Sequence, residues 1–281
     1  MRNISIFARP AYLRLANITS IPYLKRGSSL IRGEQIAEYL GARFNPAADY
    51  ENDVCIYVKP LAFEEIKEGS YIDILEAVGL TKILFNYPKL GIIVISQAAC
   101  EYLKNNQYKN NIVVIPQHHC NFERFIRDRK EITTVGVIGS KDSFEYPIDE
   151  FRERLGKIGL KFTTNHSFKN RQDVIDFYKQ IDIQVSWNID TRRKILRQKL
   201  FQDPLRMKNA ASFGIPTVAF PEINYKEFEE NYISVNSTDL MISEIEKLKN
   251  KDYYEQWSSK IIKEAEKYHI SKIAKKYKQL L

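Results

Sequence analysis

Short apolar runs alternating with helical stretches recur along the whole chain, and that alternation restricts the folds open to it. The runs in the first half are Ile4 to Phe7, Val54 to Val58, Ile83 to Phe85, Gly91 to Ile95 and Ile112 to Ile115. In the second half they are Thr134 to Ile138, Lys161 to Thr164, Ile181 to Ser186 and Thr217 to Phe220. Most are apolar at consecutive positions, so both faces of each strand are buried, as in a parallel sheet covered by helices. The helical patterns Glu34 to Leu40, Gln97 to Leu103, Pro147 to Ile158, Arg171 to Gln180 and Pro204 to Phe213 supply that cover. Tyr71 to Asp73, after Gly69-Ser70, opens a strand or a helix. From Ser243 to Leu281 the pattern is helical throughout.

With 281 residues the chain has about twice the length of an ordinary domain. The strand Ile112 to Ile115 ends in Pro-Gln-His-His, and the charged ERFIRDRKE follows before a fresh strand begins. We therefore expect an α/β protein of two Rossmann-like domains, 1–118 and 119–265. Residues 266–281 form a last helix that either crosses back to the first domain or touches an anionic membrane through its basic KYHISKIAKKYKQLL. Hydrophobic residues at 44% exclude a disordered chain. The 43 basic and 35 acidic side chains give +8, which permits an anionic partner without choosing one. Dispersed basic residues with interleaved acids argue against nucleic acid. Cys55, Cys100 and Cys120 are too scattered for a disulfide scaffold, no apolar run reaches ~18 residues, and the N-terminus lacks the apolar core of a signal peptide. The expected location is cytoplasmic, with peripheral membrane contact left open.

Ligands of open α/β sheets collect at the carboxyl ends of the strands. In VGVIGSKDS, Gly136 and Gly139 flank such an end, and Gly139 and Ser140 can bring backbone N–H groups close to a phosphate. In QDPLRMKNAASFGIPTVAFPE, Asp203 reads as an N-cap, Pro204 as the first helical residue and Gly214 as the helix stop. Arg206 lies in the first turn, where the helix terminus already favours an anion, and Asn209 shares its face one turn deeper. Trp187, at a strand end, is placed either to stack on a base or to fill the core. Arg192, Arg193, Lys194, Arg197 and Lys199 crowd the segment that follows.

These residues resemble the donor half of GT-B glycosyltransferases, whose pattern reads roughly P-x-K/R-x-x-E/N-x-x-x-x-G-x-P-V/T-V. Pro204, Arg206, Asn209, Gly214, Pro216 and Val218 fall on matching positions, VGVIGS resembles that domain's opening strand and loop, and DVIDFYKQIDIQVSW its helix-then-strand step. In the first half, KRGSSLIRGEQIAEYLG resembles the glycine-rich turn before the first long helix. The resemblance implies two sheets facing a central cleft and transfer of a sugar from a nucleotide-sugar donor to a glycan or lipid-linked glycan acceptor. It places Gly139, Ser140, Arg206 and Asn209 on the donor side, and Gly27, Ser28, Ser29 and Arg32 on the acceptor side; Trp187, at its strand end, and Arg193, in the basic segment dense enough to hold a phosphorylated donor or an anionic acceptor, join the donor-side candidates on their own chemistry. An inverting reaction also needs a general base, for which Asp73, His118, His119 and Glu34 are the candidates. The Glu-x7-Glu pair of family-4-like retaining members is missing, because Phe201 and Asn209 occupy its positions; the stereochemistry stays open. No cofactor is implied. His118, His119 and Cys120 are adjacent and lack a second cluster, and DxD is absent, so no metal is expected. A nucleotide-sugar epimerase or hydrolase, and a non-catalytic nucleotide-sugar binder, are the alternatives.

Overall fold

The structure is a computed structural model describing residues 3–8, 27, 29–60, 66–139, 147–168, 170–187 and 199–281. Its contacts divide the chain into two units. Unit 1 comprises Met1–His118, Arg192–Asp203 and Ile270–Leu281, and unit 2 comprises His119–Thr191 and Pro204–His269.

Unit 1 is built on a parallel sheet of β1 (Ile4–Ala8), β2 (Arg43–Phe44), β3 (Val54–Val58), β4 (Tyr71–Asp73), β5 (Gly91–Val94) and β6 (Ile112–Val114), in the order β2-β1-β3-β4-β5-β6. The order reverses between β1 and β3, which run in register from Ile4 opposite Val54 to Ala8 opposite Val58. Ile6, Ile56, Ile72 and Ile92 are sealed from solvent, as consecutive apolar positions require when both sheet faces are covered. A wide helical turn, Ser29–Glu34, leads into α1 (Gln35–Leu40), and α2 (Val78–Leu84) and α3 (Gln97–Asn105) follow. The Ser96 hydroxyl caps α3 by accepting from the Ala99 N–H. Phe201 packs edge-on against Tyr102, so the segment before Asp203 joins this core.

Ile83 to Phe85, read above as a strand, is instead the end of α2 and the turn after it. Leu84 is buried, whereas Ile83 and Phe85 stand exposed. Three apolar residues in a row cannot distinguish a buried strand from a helix end, and here the helix won.

Unit 2 is a second parallel sheet, β7 (Thr134–Ile138), β8 (Lys161–Asn165), β9 (Ile183–Ser186), β10 (Thr217–Ala219) and β11 (Ile233–Ser234), in the order β11-β10-β9-β7-β8. The switch lies between β7 and β9. Around the sheet run α4 (Ile148–Lys157), α5 (Arg171–Gln180), α6 (Leu205–Ser212), α7 (Thr238–Lys247) and α8 (Lys251–Ala265); α9 (Ile270–Lys278) belongs to unit 1. Both units are thus Rossmann-like α/β layers. Asp203 is not the cap of α6: Pro204 holds that position, and the Asp203 carboxylate accepts from the Gln117 N–H instead.

Helix α5 lies so close to β7 that a Cβ on Gly136 would stand 2.5 Å from Cγ2 of Ile181 and 2.9 Å from Cζ of Phe177. Gly136→Ala should therefore destabilise unit 2 by about 1–3 kcal/mol through overpacking. Tryptophan fluorescence during denaturation measures this, because both tryptophans, Trp187 and Trp257, belong to unit 2. An unchanged midpoint would show that the helix simply moves aside.

Candidate functional site

The carboxyl edge of the unit 2 sheet brings together the ends of β7, β8, β9 and β10 and the first turn of α6. Gly139 follows β7 with φ 138°, a conformation open to glycine and costly for other residues. Its N–H donates to Asn165 O, and its carbonyl accepts from Nδ1 of His166 at 2.9 Å. A carbonyl only accepts, so Nδ1 donates in this bond, and Nε2 is the ring's other polar atom. Nε2 is buried and meets no hydrogen-bond partner among the described residues. Sequence reasoning passed over His166. The available signal was its position, one residue beyond the end of the strand that neighbours the glycine-bearing one.

Gln184 on β9, 1% exposed, fixes the start of α6. Its Nε2 donates to the Arg206 carbonyl at 3.2 Å and to Thr217 Oγ1 at 3.0 Å, and its Oε1 accepts from the Tyr178 hydroxyl at 2.9 Å. Arg206 is half-buried on the turn so held. Burial raises the Tyr178 and Tyr225 phenols well above the usual tyrosine range, and the Arg206 guanidinium works against that rise at both. Its charge is therefore felt across this edge. Tyr225 donates to Glu222 Oε1 at 2.9 Å, which leaves the Ser186 hydroxyl to donate to the Tyr225 oxygen at 3.0 Å. A half-buried guanidinium, a helix start and a glycine turn at a sheet's switch point suit a phosphorylated ligand.

Asn209 is nearly buried, and its Oδ1 accepts from the Cys120 N–H at 2.8 Å. Trp187, expected on the donor side, is a core residue: it is 5% exposed, with its ring 4.0 Å from that of Phe220. That packing removes it as a stacking platform. Ser140 and Arg193, like Arg192, Lys194, Arg197 and the acceptor-side Ser28, lie outside the described residues.

In unit 1, Gly27 is exposed with φ 77°, its carbonyl accepts from the Ile31 N–H, and Ser29 begins the wide turn. Arg32, expected to face an acceptor, and Asp73, expected as a base, are instead a sealed ion pair at 1% and 0% exposure. Arg32 Nη1 also donates to the Ile115 carbonyl at 2.9 Å, and its guanidinium lies 5.8 Å from the centre of the Tyr277 ring. Burial works to lower the Arg32 pKa, but Asp73 and its neighbours more than offset this and leave it raised. His118, 2% exposed, donates from Nε2 to the Ile31 carbonyl. Glu34 closes the turn and is only half-buried. A Cβ on its neighbour Gly33 would come within 2.6 Å of Ala8 Cβ, which sets this turn against the carboxyl end of β1, beside that sheet's switch point.

His119 belongs to unit 2. It is 2% exposed, accepts at Nδ1 from the Asn121 N–H and lies 5.5 Å from the His269 ring, which donates to the Phe122 carbonyl. Burial pushes the Cys120 thiol up to about 12, so it is neither a nucleophile nor a ready metal ligand at neutral pH. Among the described residues no group of three His, Cys, Asp or Glu side chains is arranged to hold a metal, and no helix is long and apolar enough to cross a membrane.

Solved structures share this architecture. A mutant of S. aureus TarM, in complex with Fondaparinux, alpha-GlcNAc-glycerol and UDP, aligns with 83% of this chain and 52% of its own, at 20% identity and TM-score 0.51. The pneumococcal O-GlcNAc transferase GtfA, with UDP and GlcNAc, aligns over 82% and 52%, at 14% identity and TM-score 0.52. HepE of Anabaena, with UDP and glucose, aligns over 81% and 71%, at 11% identity and TM-score 0.50. The chain spans about half the length of the first two. At such identities the likeness is one of fold, a GT-B-like pair of Rossmann-like units. No protein-family model and no curated protein sequence matches the chain.

Proposed function

We propose that unit 2 binds a nucleotide sugar and that the protein transfers the sugar to a hydroxyl of a glycan or related acceptor. Arg206 carries the reading: a half-buried cation in the first turn of a helix that Gln184 fixes, at the carboxyl edge where the strand order reverses. When the glycosidic bond to the nucleotide breaks, negative charge develops on the departing diphosphate. The Arg206 guanidinium and the N-terminus of α6, whose first turn Gln184 holds, lower the barrier by stabilising that charge. The Gly139 turn brings backbone close to the phosphates, and His166 Nε2 hydrogen-bonds a hydroxyl of the ribose or the sugar. UDP is the nucleotide we favour, since TarM, GtfA and HepE were each solved with it.

An inverting transfer needs a base that reaches the acceptor hydroxyl. Asp73, His118 and His119 are at most 2% exposed, whereas Glu34 is half-buried at the carboxyl end of β1. Accessibility therefore favours Glu34 among the four.

The first test is thermal unfolding with UDP, GDP, CMP and dTDP and their sugar conjugates. A ligand at ~100 times its Kd adds about 2.7 kcal/mol. If no nucleotide stabilises the protein, the reading fails. Arg206→Ala should weaken nucleotide binding ~10- to 100-fold, the loss of a charge-assisted hydrogen bond, while leaving the ligand-free midpoint in place. Equal affinity would remove Arg206 from the role. Glu34→Gln should instead lower kcat with nucleotide affinity unchanged, and undiminished turnover would exclude it as the base.

A further inference from the structure

The turn after α2 displays apolar side chains that a folded chain ordinarily hides. Within five residues, Ile83, Phe85 and Tyr87 are 40%, 55% and 43% exposed. Loose packing does not explain this, because the turn is fastened from beneath. The Asn110 side chain, 8% exposed, donates from Nδ2 to the carbonyls of Tyr87 and Leu90, both at 2.8 Å, and lies 3.5 Å from that of Leu84. Backbone bonds from Phe85 to Thr81, Asn86 to Ile83 and Tyr87 to Leu84 tighten the turn further. The loop that carries Asn110 also braces the display from the side. The Tyr108 ring meets that of Phe85 edge-on at 5.4 Å, and its hydroxyl donates to the Thr81 carbonyl. A buried amide thus holds Ile83, Phe85 and Tyr87 at the surface.

Their surroundings are basic. Exposed Lys82 and Lys89 bracket the tips along the chain, and exposed Lys104 and Lys109 flank the bracing loop. Lys89 pairs with Glu68 at 2.5 Å, and Glu101 on α3 accepts from the neutral Gln97 amide and keeps its charge, so Lys82, Lys104 and Lys109 outnumber it and leave the face net positive. Aromatic and aliphatic tips on a rigid convex turn, with ammonium groups beside them, complement a bilayer interface. There the tips enter the headgroup–acyl boundary and the lysines meet lipid phosphates.

We propose that the α2–β5 turn of unit 1 is a docking surface for an anionic lipid bilayer. This is independent of the donor-site reading, since none of its residues lies at the carboxyl edge of the unit 2 sheet. The test is co-sedimentation of the full chain with vesicles of phosphatidylcholine alone, and of phosphatidylcholine mixed with phosphatidylglycerol, at low and high salt. Binding to the mixed vesicles, weakened by salt, is expected. Replacing Lys82, Lys104 and Lys109 by Gln should lower partitioning roughly 100-fold, at about 1 kcal/mol per lysine. Phe85→Ser with Tyr87→Ser should lower it about tenfold at any salt. The lysine variant changes exposed side chains only, so its thermal midpoint should match the parent; the serine pair also loses the Phe85–Tyr108 ring contact, and circular dichroism checks that it keeps the parent fold. Failure of the parent chain to bind anionic vesicles overturns the proposal, as do variants that bind equally well. If the parent ignores vesicles but self-associates, and Phe85→Ser with Tyr87→Ser abolishes this, the surface belongs to a second copy and the lipid assignment is wrong.

Discussion

Asp182→Ala should come close to unfolding unit 2 at physiological temperature. Asp182 is 0% exposed where β9 begins, and both of its oxygens are engaged. Oδ2 accepts from the N–H groups of Thr133 and Thr134 at 2.9 and 3.0 Å and from the Thr133 hydroxyl at 3.2 Å, fastening the chain as it enters β7. Oδ1 faces Arg127 and, at 3.3 Å, Nε of Arg129. Arg129 is itself 4% exposed, and burial, with Arg127 adding to it, already lowers its pKa. Removing the carboxylate strands a buried guanidinium, which costs about 3–5 kcal/mol, and leaves backbone donors without their acceptor, each worth about 1–3 kcal/mol. These costs share partners and do not simply add, but even the first is a large part of a domain's ~5–15 kcal/mol. Asp182→Asn keeps an acceptor for the two N–H groups while losing the charge, so it should fall between alanine and the parent chain. Tryptophan fluorescence reports the result for unit 2 alone. An alanine variant that unfolds within about 1 kcal/mol of the parent would mean that water or a neighbouring acid takes over the carboxylate's work.

How much of this was written locally can be followed residue by residue. Helix α5 was legible from end to end: Asn170 accepts from the Asp173 N–H, and the apolar stripe of Ile175, Phe177 and Tyr178 does the rest. Strands with consecutive apolar residues, such as Val54–Val58, were equally plain. The two-residue strands Arg43–Phe44 and Ile233–Ser234 were not, because so short a pairing has no period of its own and exists only through its neighbour. Partnerships distant in sequence were invisible for the same reason. Asp203 has the chemistry of an N-cap, but its acceptor is claimed by the backbone of Gln117, 86 residues away. At the candidate site, the residue types of the α6 turn announced Arg206. His166 is a lone histidine, and only the adjacency of β7 and β8 aims its ring at Gly139.

Asp73 is the case in which that distance changes a functional conclusion, and it yields the second large effect. Arg32→Met should destabilise unit 1 by about 3–5 kcal/mol, since it leaves the Asp73 carboxylate sealed without its cation. The loss reaches further than two residues. Tyr277 on α9 stacks near the guanidinium, and burial, with Asp73 adding to it, already holds its phenol above the usual range. Helix α9 should therefore loosen together with β1 and β4. Unit 1 has no tryptophan, so amide hydrogen exchange over Ile4–Ala8, Tyr71–Asp73 and Ile270–Lys278 is the readout. Arg32→Met combined with Asp73→Leu removes both charges together, and a well-packed apolar pair commonly recovers what the single change loses. The double variant should be more stable than either single one, and its activity then decides between two roles for the carboxylate. If Asp73 serves only to pair Arg32, the refolded double variant still turns over. If it were the reacting base, no recovery of stability would restore the reaction. A stable double variant that binds nucleotide normally yet is inactive would therefore return Asp73 to the chemistry and displace Glu34.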